Sequence, residues 1–240
     1  MAAFAWGTLA ASSLILGGLL ALWLRVPRRA LGLIMAFGTG VLTSAVAYEL
    51  VEDSFERSAV GVGVGMLAGA LVFYTGDALI DRIGGHNRKR SGDHPANSSA
   101  PAIVLGIVLD GIPESIVLGL TLVTSDTIGL AVLAAVFLSN LPEAVAATVG
   151  LRARSWRPAG VLGLWTTVTI TSGLAALAGY LLLDTADPSV VAFVNAFAGG
   201  AILTMLADTM APEAYENGGR SVGLVTTAGF LSAFLLTALS

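Results

Sequence analysis

Two copies of one short polar motif lie inside long apolar runs, and they constrain the fold more than any other feature of the chain. The first copy is Asp110-Gly111-Ile112-Pro113-Glu114, and the second is Ser139-Asn140-Leu141-Pro142-Glu143. In each, a polar residue is followed by proline three positions later and by glutamate four positions later. A charged side chain at the centre of a membrane helix costs about 2.5–3.5 kcal/mol on insertion scales. Two helices that carry this cost in one pattern are expected to face each other around a group that offsets it.

The composition identifies a lipid bilayer as the surroundings of these runs. The 240-residue chain is 55% hydrophobic and 12% charged, with a mean hydropathy of +0.84, whereas soluble domains carry about 25% charged residues. We therefore expect an all-α integral membrane protein whose partner is the bilayer, and no nucleic-acid partner. The chain has no cysteine, which excludes a disulfide framework and a thiolate metal site.

Eight apolar segments are each long enough for a bilayer crossing of about 20 residues. They are 3–24, 31–51, 59–80, 101–123, 127–150, 158–183, 190–212 and 221–239. Ten of the twelve basic residues fall in the loops 25–30, 81–100 and 151–157, which follow the first, third and fifth segments. Because basic loops stay in the cytoplasm, the sequence predicts that these three loops are cytoplasmic and that both termini lie outside. We expect residues 1–240 to form one transmembrane domain in the plasma membrane.

An internal repeat indicates how these segments are arranged. Residues 36–42 resemble residues 196–202 at a constant offset of 160. The copies lie on the second and seventh segments, which cross the membrane in opposite directions, as in the inverted repeats of transporters. The sequence thus predicts a 3+2+3 arrangement with the fourth and fifth segments between two inverted triplets. In the third segment, Gly61, Gly65 and Gly69 have the spacing of close helix packing.

The two polar motifs have the composition of a cation site. Residues four apart share one helix face, so Asp110 and Glu114 point the same way, as do Ser139 and Glu143. Each proline lacks an N–H and frees a backbone carbonyl in the preceding turn. The number of residues between each motif and the turn that joins the fourth and fifth segments places both motifs toward the middle of the bilayer. Two carboxylates at one depth repel each other unless a cation lies between them, so Glu114 and Glu143 fit a bridged divalent ion.

These features resemble the ZIP family of divalent-metal transporters. The resemblance covers eight spans, outside termini, a long cytoplasmic loop after the third span, and the Pro-Glu motifs on the fourth and fifth spans. It implies that Glu114 and Glu143 are metal ligands, that Asp110 stands where the family usually has histidine, and that Ser139 and Asn140 occupy ligand positions of the fifth span. The segment 208–213 resembles the family's end of the seventh span, which places Asp208 on the transport route.

The chain departs from the family pattern in ways that bear on metal choice. None of the predicted spans contains histidine, and Gly111 stands where asparagine is usual, which removes a ligand of a second metal position. Zinc prefers mixed nitrogen and oxygen ligands, so an all-oxygen set favours Mn²⁺, Fe²⁺ or Mg²⁺. We expect one dominant site of lowered zinc affinity in a protein that moves a divalent cation into the cytoplasm. The metal is its substrate; we expect neither a cofactor nor an enzymatic activity.

Three alternatives stay open from the residues alone. The carboxylates also suit a proton relay in a transporter of another small solute. The same oxygen ligands are also compatible with a metal-binding membrane protein that does not transport. A third reading is an intramembrane aspartyl protease built on Asp77 and Asp110. His86 and His94 lie in the polar loop 81–100, either as solvated residues or as transient metal contacts. No motif specifies an oligomeric state, and a homodimer is left open.

Overall fold

The described chain is almost entirely helical. A computed structural model describes residues 1–24, 26–52, 54–55, 58–85, 100–124 and 130–239. The predicted loop 81–100 begins with a π-helical turn, Asp81–Gly85, and His86 and His94 lie outside the described residues.

Within the described ranges, helices account for nearly every residue. They are α1 (Ala2–Trp23), α2 (Arg28–Ala45), α3 (Ala59–Ile80), α4 (Ala100–Thr124), α5 (Leu130–Ala153), α6 (Pro158–Leu183), α7 (Pro188–Met205), α8 (Ala211–Gly218) and α9 (Val222–Leu239). Three of them, α2, α3 and α7, continue directly into π-helical segments, which are Val46–Glu52, Asp81–Gly85 and Leu206–Met210.

Seven segments of the described residues are long and apolar enough to cross a membrane. They are Ala2–Trp23, Arg28–Glu52, Ala59–Ile83, Pro101–Val123, Val132–Ala153, Pro158–Leu183 and Pro188–Ala238. This set is compatible with an integral membrane protein. The predicted segments 190–212 and 221–239 both fall within the last of the seven.

The segment Pro188–Ala238 is not one straight rod. Its 51 residues would extend about 75 Å as a continuous helix, which is more than twice the hydrocarbon thickness of about 30 Å. Instead, α8 ends at Gly218 and the chain turns at Gly219. The φ of Gly219 is 66°, in the left-handed region that glycine adopts without strain. A 3₁₀ turn, Gly219–Ser221, then leads into α9.

Burial separates inner helices from outer ones. Over one 18-residue apolar stretch in each segment, 67%, 56% and 61% of residues are buried in the segments that contain α2, α4 and α5, against 22% in the segment that contains α3. The helix α3 packs on α7, α9 packs on α2, and α1 packs on both α5 and α6. The helices that carry the two polar motifs, α4 and α5, therefore lie inside the bundle.

Backbone-to-backbone contact at glycine joins α2 to α9. A Cβ atom at Gly40 would collide with the carbonyl oxygen of Thr226, and one at Gly229 would collide with the carbonyl oxygen of Phe37. Small residues that let helix backbones touch are a common basis of packing in membranes. This contact therefore requires glycine at both positions.

The same kind of contact joins α3 to α7. A Cβ atom at Gly69 would collide with the carbonyl oxygen of Phe197, and one at Gly200 with that of Met66. A Cβ atom at Gly65 would lie 2.7 Å from the carbonyl oxygen of Phe193. The predicted packing role is thus confirmed for Gly65 and Gly69. Gly61 instead lies in the first turn of α3, where its N–H donates to Ser58 Oγ at 3.1 Å.

The two contacts correspond at the offset of 160 found in the sequence. Adding 160 to the α3 positions 66 and 69 gives the α9 positions 226 and 229, and adding it to the α2 positions 37 and 40 gives the α7 positions 197 and 200. The helices α2 and α7 also have equal lengths of 18 residues, and each continues into a π-helical segment.

Gly69→Ala is expected to destabilise the protein by about 1–3 kcal/mol, because the added Cβ overpacks the contact with α7. Gly63 on the same helix is the matched control, since a Cβ there meets nothing within 4 Å. Alanine at Gly63 is expected to be neutral or slightly stabilising. Thermal unfolding in detergent measures both, and equal melting temperatures for the two variants would contradict the packing role of Gly69.

Candidate functional site

The first polar motif lies on an uninterrupted helix in the interior of the bundle. Pro113 is inside α4, and Asp110 and Glu114, one turn apart on the same face, are each only 2% exposed. Because Pro113 has no N–H to donate, the carbonyl of Leu109 receives no helical hydrogen bond from that position. The helix thus presents both acids toward its neighbours and not toward the lipid.

The second motif occupies the matching place on α5. Pro142 lies inside this helix, Ser139 is fully buried and Asn140 is 6% exposed, while Glu143 is half-buried. As in α4, the polar residue and the glutamate are four positions apart and share a face.

A hydrogen bond joins the two motifs. Ser139 Oγ donates to Glu114 Oε1 at 2.9 Å, and both side chains are buried. The two residues are 25 positions apart in the chain, so this contact arises from helix packing. The motifs on α4 and α5 meet, as the sequence predicts.

Three acids line a small cavity beside this contact, which we name the first acid cavity. Its lining includes Asp110 of α4, Glu143 of α5 and Glu213 of α8, together with Thr209. Its volume is about 20 Å³, which is enough for one water molecule or one dehydrated metal ion.

A second acid cavity adjoins the first. It is lined by Glu114, Asn140 and Glu143, and its volume is about 10 Å³. Glu143 lines both cavities, so this side chain lies at their boundary.

One wall of the second acid cavity is rigid. It is formed by Trp165 of α6, which is fully buried and whose indole N–H donates to Thr148 Oγ1 at 2.9 Å. This bond ties α6 to α5 behind the acids.

The acids line shared cavities without converging on one point. Among the residues that the structure describes, no group of three or more His, Asp or Glu side chains is placed to hold a metal ion. Carboxylates that approach one another without a counter-ion repel. Any cation that binds between them therefore has to draw the side chains together.

Asp208, expected on the transport route, is placed differently from the other candidate residues. Its side chain is exposed, and it is not among the residues that line the two acid cavities. Glu213, five positions later, is 4% exposed and lines the first acid cavity.

The sequence contained a signal for Glu213. Thr209, Pro212 and Glu213 form a third copy of the motif, with a polar residue, proline three positions later and glutamate four positions later. The chain has three Pro-Glu pairs, and the glutamate of each lines an acid cavity. The resemblance of the segment 208–213 to the end of the family's seventh span favoured Asp208, so the sequence analysis did not predict a role for Glu213.

Comparison with known proteins finds a distant relative that is named as a transporter. A curated protein of Arabidopsis thaliana, named "Putative zinc transporter", is 27% identical to this chain over 214 residues. The match covers 87% of this chain and 33% of the relative, so the chain spans about a third of the length of the curated relative that it matches. No family model matches the chain.

Ser139→Ala is expected to lower the free energy of unfolding by about 1–3 kcal/mol, because it removes a buried hydrogen bond to a carboxylate oxygen. Ser232→Ala is the matched control, since the Ser232 hydroxyl is exposed and donates only to Ala228 of its own helix. Chemical denaturation in mixed micelles measures both variants. A loss no larger than that of the control would show that the bond between α4 and α5 contributes nothing.

Proposed function

We propose that the protein is a membrane transporter of divalent metal cations, with the two acid cavities as the cation site. The observation that carries this proposal is the convergence of all three Pro-Glu motifs on two adjoining cavities inside an apolar bundle. The distant similarity to a protein named as a zinc transporter supports the same substrate class.

The charge of the buried acids favours a bound cation. Asp110, Glu114 and Glu213 are almost wholly buried, and Glu143 is half-buried. Ionised carboxylates inside a membrane protein are stabilised by pairing with cations or by lining a polar cavity. A divalent ion at Glu143 neutralises two of these acids and can pass from one cavity to the other, because Glu143 lines both.

The ligand set bears on which metal is carried. Carboxylate, amide and hydroxyl oxygens line the cavities, and oxygen ligands suit Mn²⁺, Fe²⁺ and Mg²⁺ better than they suit Zn²⁺. We propose that Asp110, Glu114 and Glu143 are the principal ligands, assisted by Ser139 and Asn140, with Glu213 on the route to them. Manganese is then carried at least as readily as zinc.

We further propose eight spans in a 3+2+3 inverted arrangement. The length of Pro188–Ala238 and its turn at Gly219 support two crossings in this segment, with α7 as the seventh span and α9 as the eighth. The correspondence of the α2–α9 and α3–α7 contacts at the offset of 160 supports two inverted triplets. The basic loops then lie in the cytoplasm, both termini lie outside the plasma membrane, and cations move inward.

Radiometal uptake into proteoliposomes tests this proposal. Glu143→Gln is expected to reduce uptake of ⁵⁴Mn²⁺ by about 10–100-fold, the range typical of weakened metal coordination, because it removes the charge shared by both cavities. Glu216→Gln is the matched control, since Glu216 is an exposed acid on α8. Uptake undiminished in Glu143→Gln would refute the proposed site, and metal binding without any uptake would favour a non-transporting protein.

A second comparison separates the two acids at the end of the seventh span. Glu213→Gln is expected to lower the initial rate of uptake more than Asp208→Asn does, because Glu213 lines the first acid cavity and Asp208 is exposed. Both changes remove one charge and keep the side-chain size. If Asp208→Asn lowered the rate more than Glu213→Gln in the same proteoliposome assay, Asp208 and not Glu213 would lie on the transport route.

A further inference from the structure

A groove between α4 and α6 opens beside the acid cavities. Its volume is about 150 Å³, several times the volume of either acid cavity. It is lined mainly by apolar side chains, including Val108 and Ile112 of α4, with the hydroxyl groups of Ser115, Thr171 and Ser172 among them.

The mouth of the groove faces outward near the middle of the apolar segments. Val108 and Ile112 are 42% and 49% exposed, and Thr171 is exposed. Gly111 lies close to the centre of the segment Pro101–Val123, and Ser172 lies close to the centre of Pro158–Leu183. The mouth therefore meets the acyl chains of the bilayer and not the water on either side.

The inner end of the groove reaches the second acid cavity. Gly111, Ser115 and Ser172 line both spaces, and the second acid cavity also contains Glu114 and Glu143. A Cβ atom at Gly111 would meet nothing within 4 Å. The absence of a side chain at Gly111 thus leaves a window from the groove to the carboxylates.

The polar groups of the groove are suited to accept hydrogen bonds. Ser115 Oγ donates to the Gly111 carbonyl at 2.6 Å, and Thr171 Oγ1 donates to the carbonyls of Thr167 and Val168 at 3.0 and 2.9 Å. The protons of Ser115 and Thr171 are therefore engaged within their own helices, so these hydroxyl oxygens can bind a further ligand only as acceptors. A primary ammonium group has three donors and no acceptor, and its charge complements the acids at the inner end.

We propose that the groove is a lateral binding site for lipophilic primary amines, which enter from the bilayer. The alkyl chain lies between Val108 and Ile112, and the ammonium group passes the window at Gly111 to pair with Glu114. This inference goes beyond transport of metal, since it concerns a different ligand and a different entrance to the acids.

Titration of the purified protein with n-hexylamine in maltoside micelles, followed by calorimetry, tests the inference. Saturable binding is expected for n-hexylamine and none for n-hexanol, which has the same chain without the charge. Gly111→Leu is expected to weaken binding by about tenfold or more, because the leucine side chain fills the window. Gly163→Leu is the matched control on α6, at a glycine where a Cβ also meets nothing within 4 Å, and it should bind as the parent does.

Equal heats from n-hexylamine and n-hexanol would overturn the proposal, because they would indicate partition into the micelle. Unchanged affinity in a folded Gly111→Leu variant would also overturn it. Should that variant not purify as a single species, Thr171→Leu at the mouth of the groove replaces it, with the same expected loss and the same contrary outcome. The titration needs neither metal nor flux, so its failure is distinguishable from a failure of the transport experiment.

Discussion

The placement of ionisable side chains inside an apolar bundle is the constraint on which the rest of the structure depends. Glu114 is almost wholly buried, and it is held by a hydrogen bond from Ser139 on the facing helix. A carboxylate in hydrocarbon is stable only if it is hydrogen-bonded, paired or turned toward a polar cavity. The helices α4 and α5 satisfy this requirement together, with α6 and α7 packed against α4, and α1 and α2 packed against α5.

Glycine contacts make this enclosure possible. The α2–α9 and α3–α7 contacts bring backbones into direct touch at Gly40, Gly69, Gly200 and Gly229. Such contacts hold outer helices against inner ones without a large side chain between them. The inner helices also share a buried apolar cluster, which includes Leu42, Val117 and Val136, so apolar packing encloses the polar residues of α4 and α5.

Composition and motif spacing predicted much of this architecture and part of the site. The lengths of the apolar segments predicted long apolar helices. The cost of burying Glu114 and Glu143 in a bilayer predicted that the two motifs face each other. The third copy of the motif, which ends at Glu213, is visible in the sequence, but the position of its glutamate beside Asp110 and Glu143 could not be inferred in the same way. It depends on how the chain continues through the π-helical segment Leu206–Met210 into α8, a choice made by tertiary packing. The prediction that Asp208 lies on the route came from the family resemblance alone, and its side chain is exposed.

The central claim is that a divalent cation offsets the charge of the buried acids. Crystals soaked in Mn²⁺, measured for anomalous scattering at energies on both sides of the manganese edge, test it most directly. The account predicts a manganese peak bounded by carboxylate oxygens of Asp110, Glu114 and Glu143, with these side chains drawn together. Manganese found only at residues outside the apolar segments, with the three acids unmoved, would contradict it.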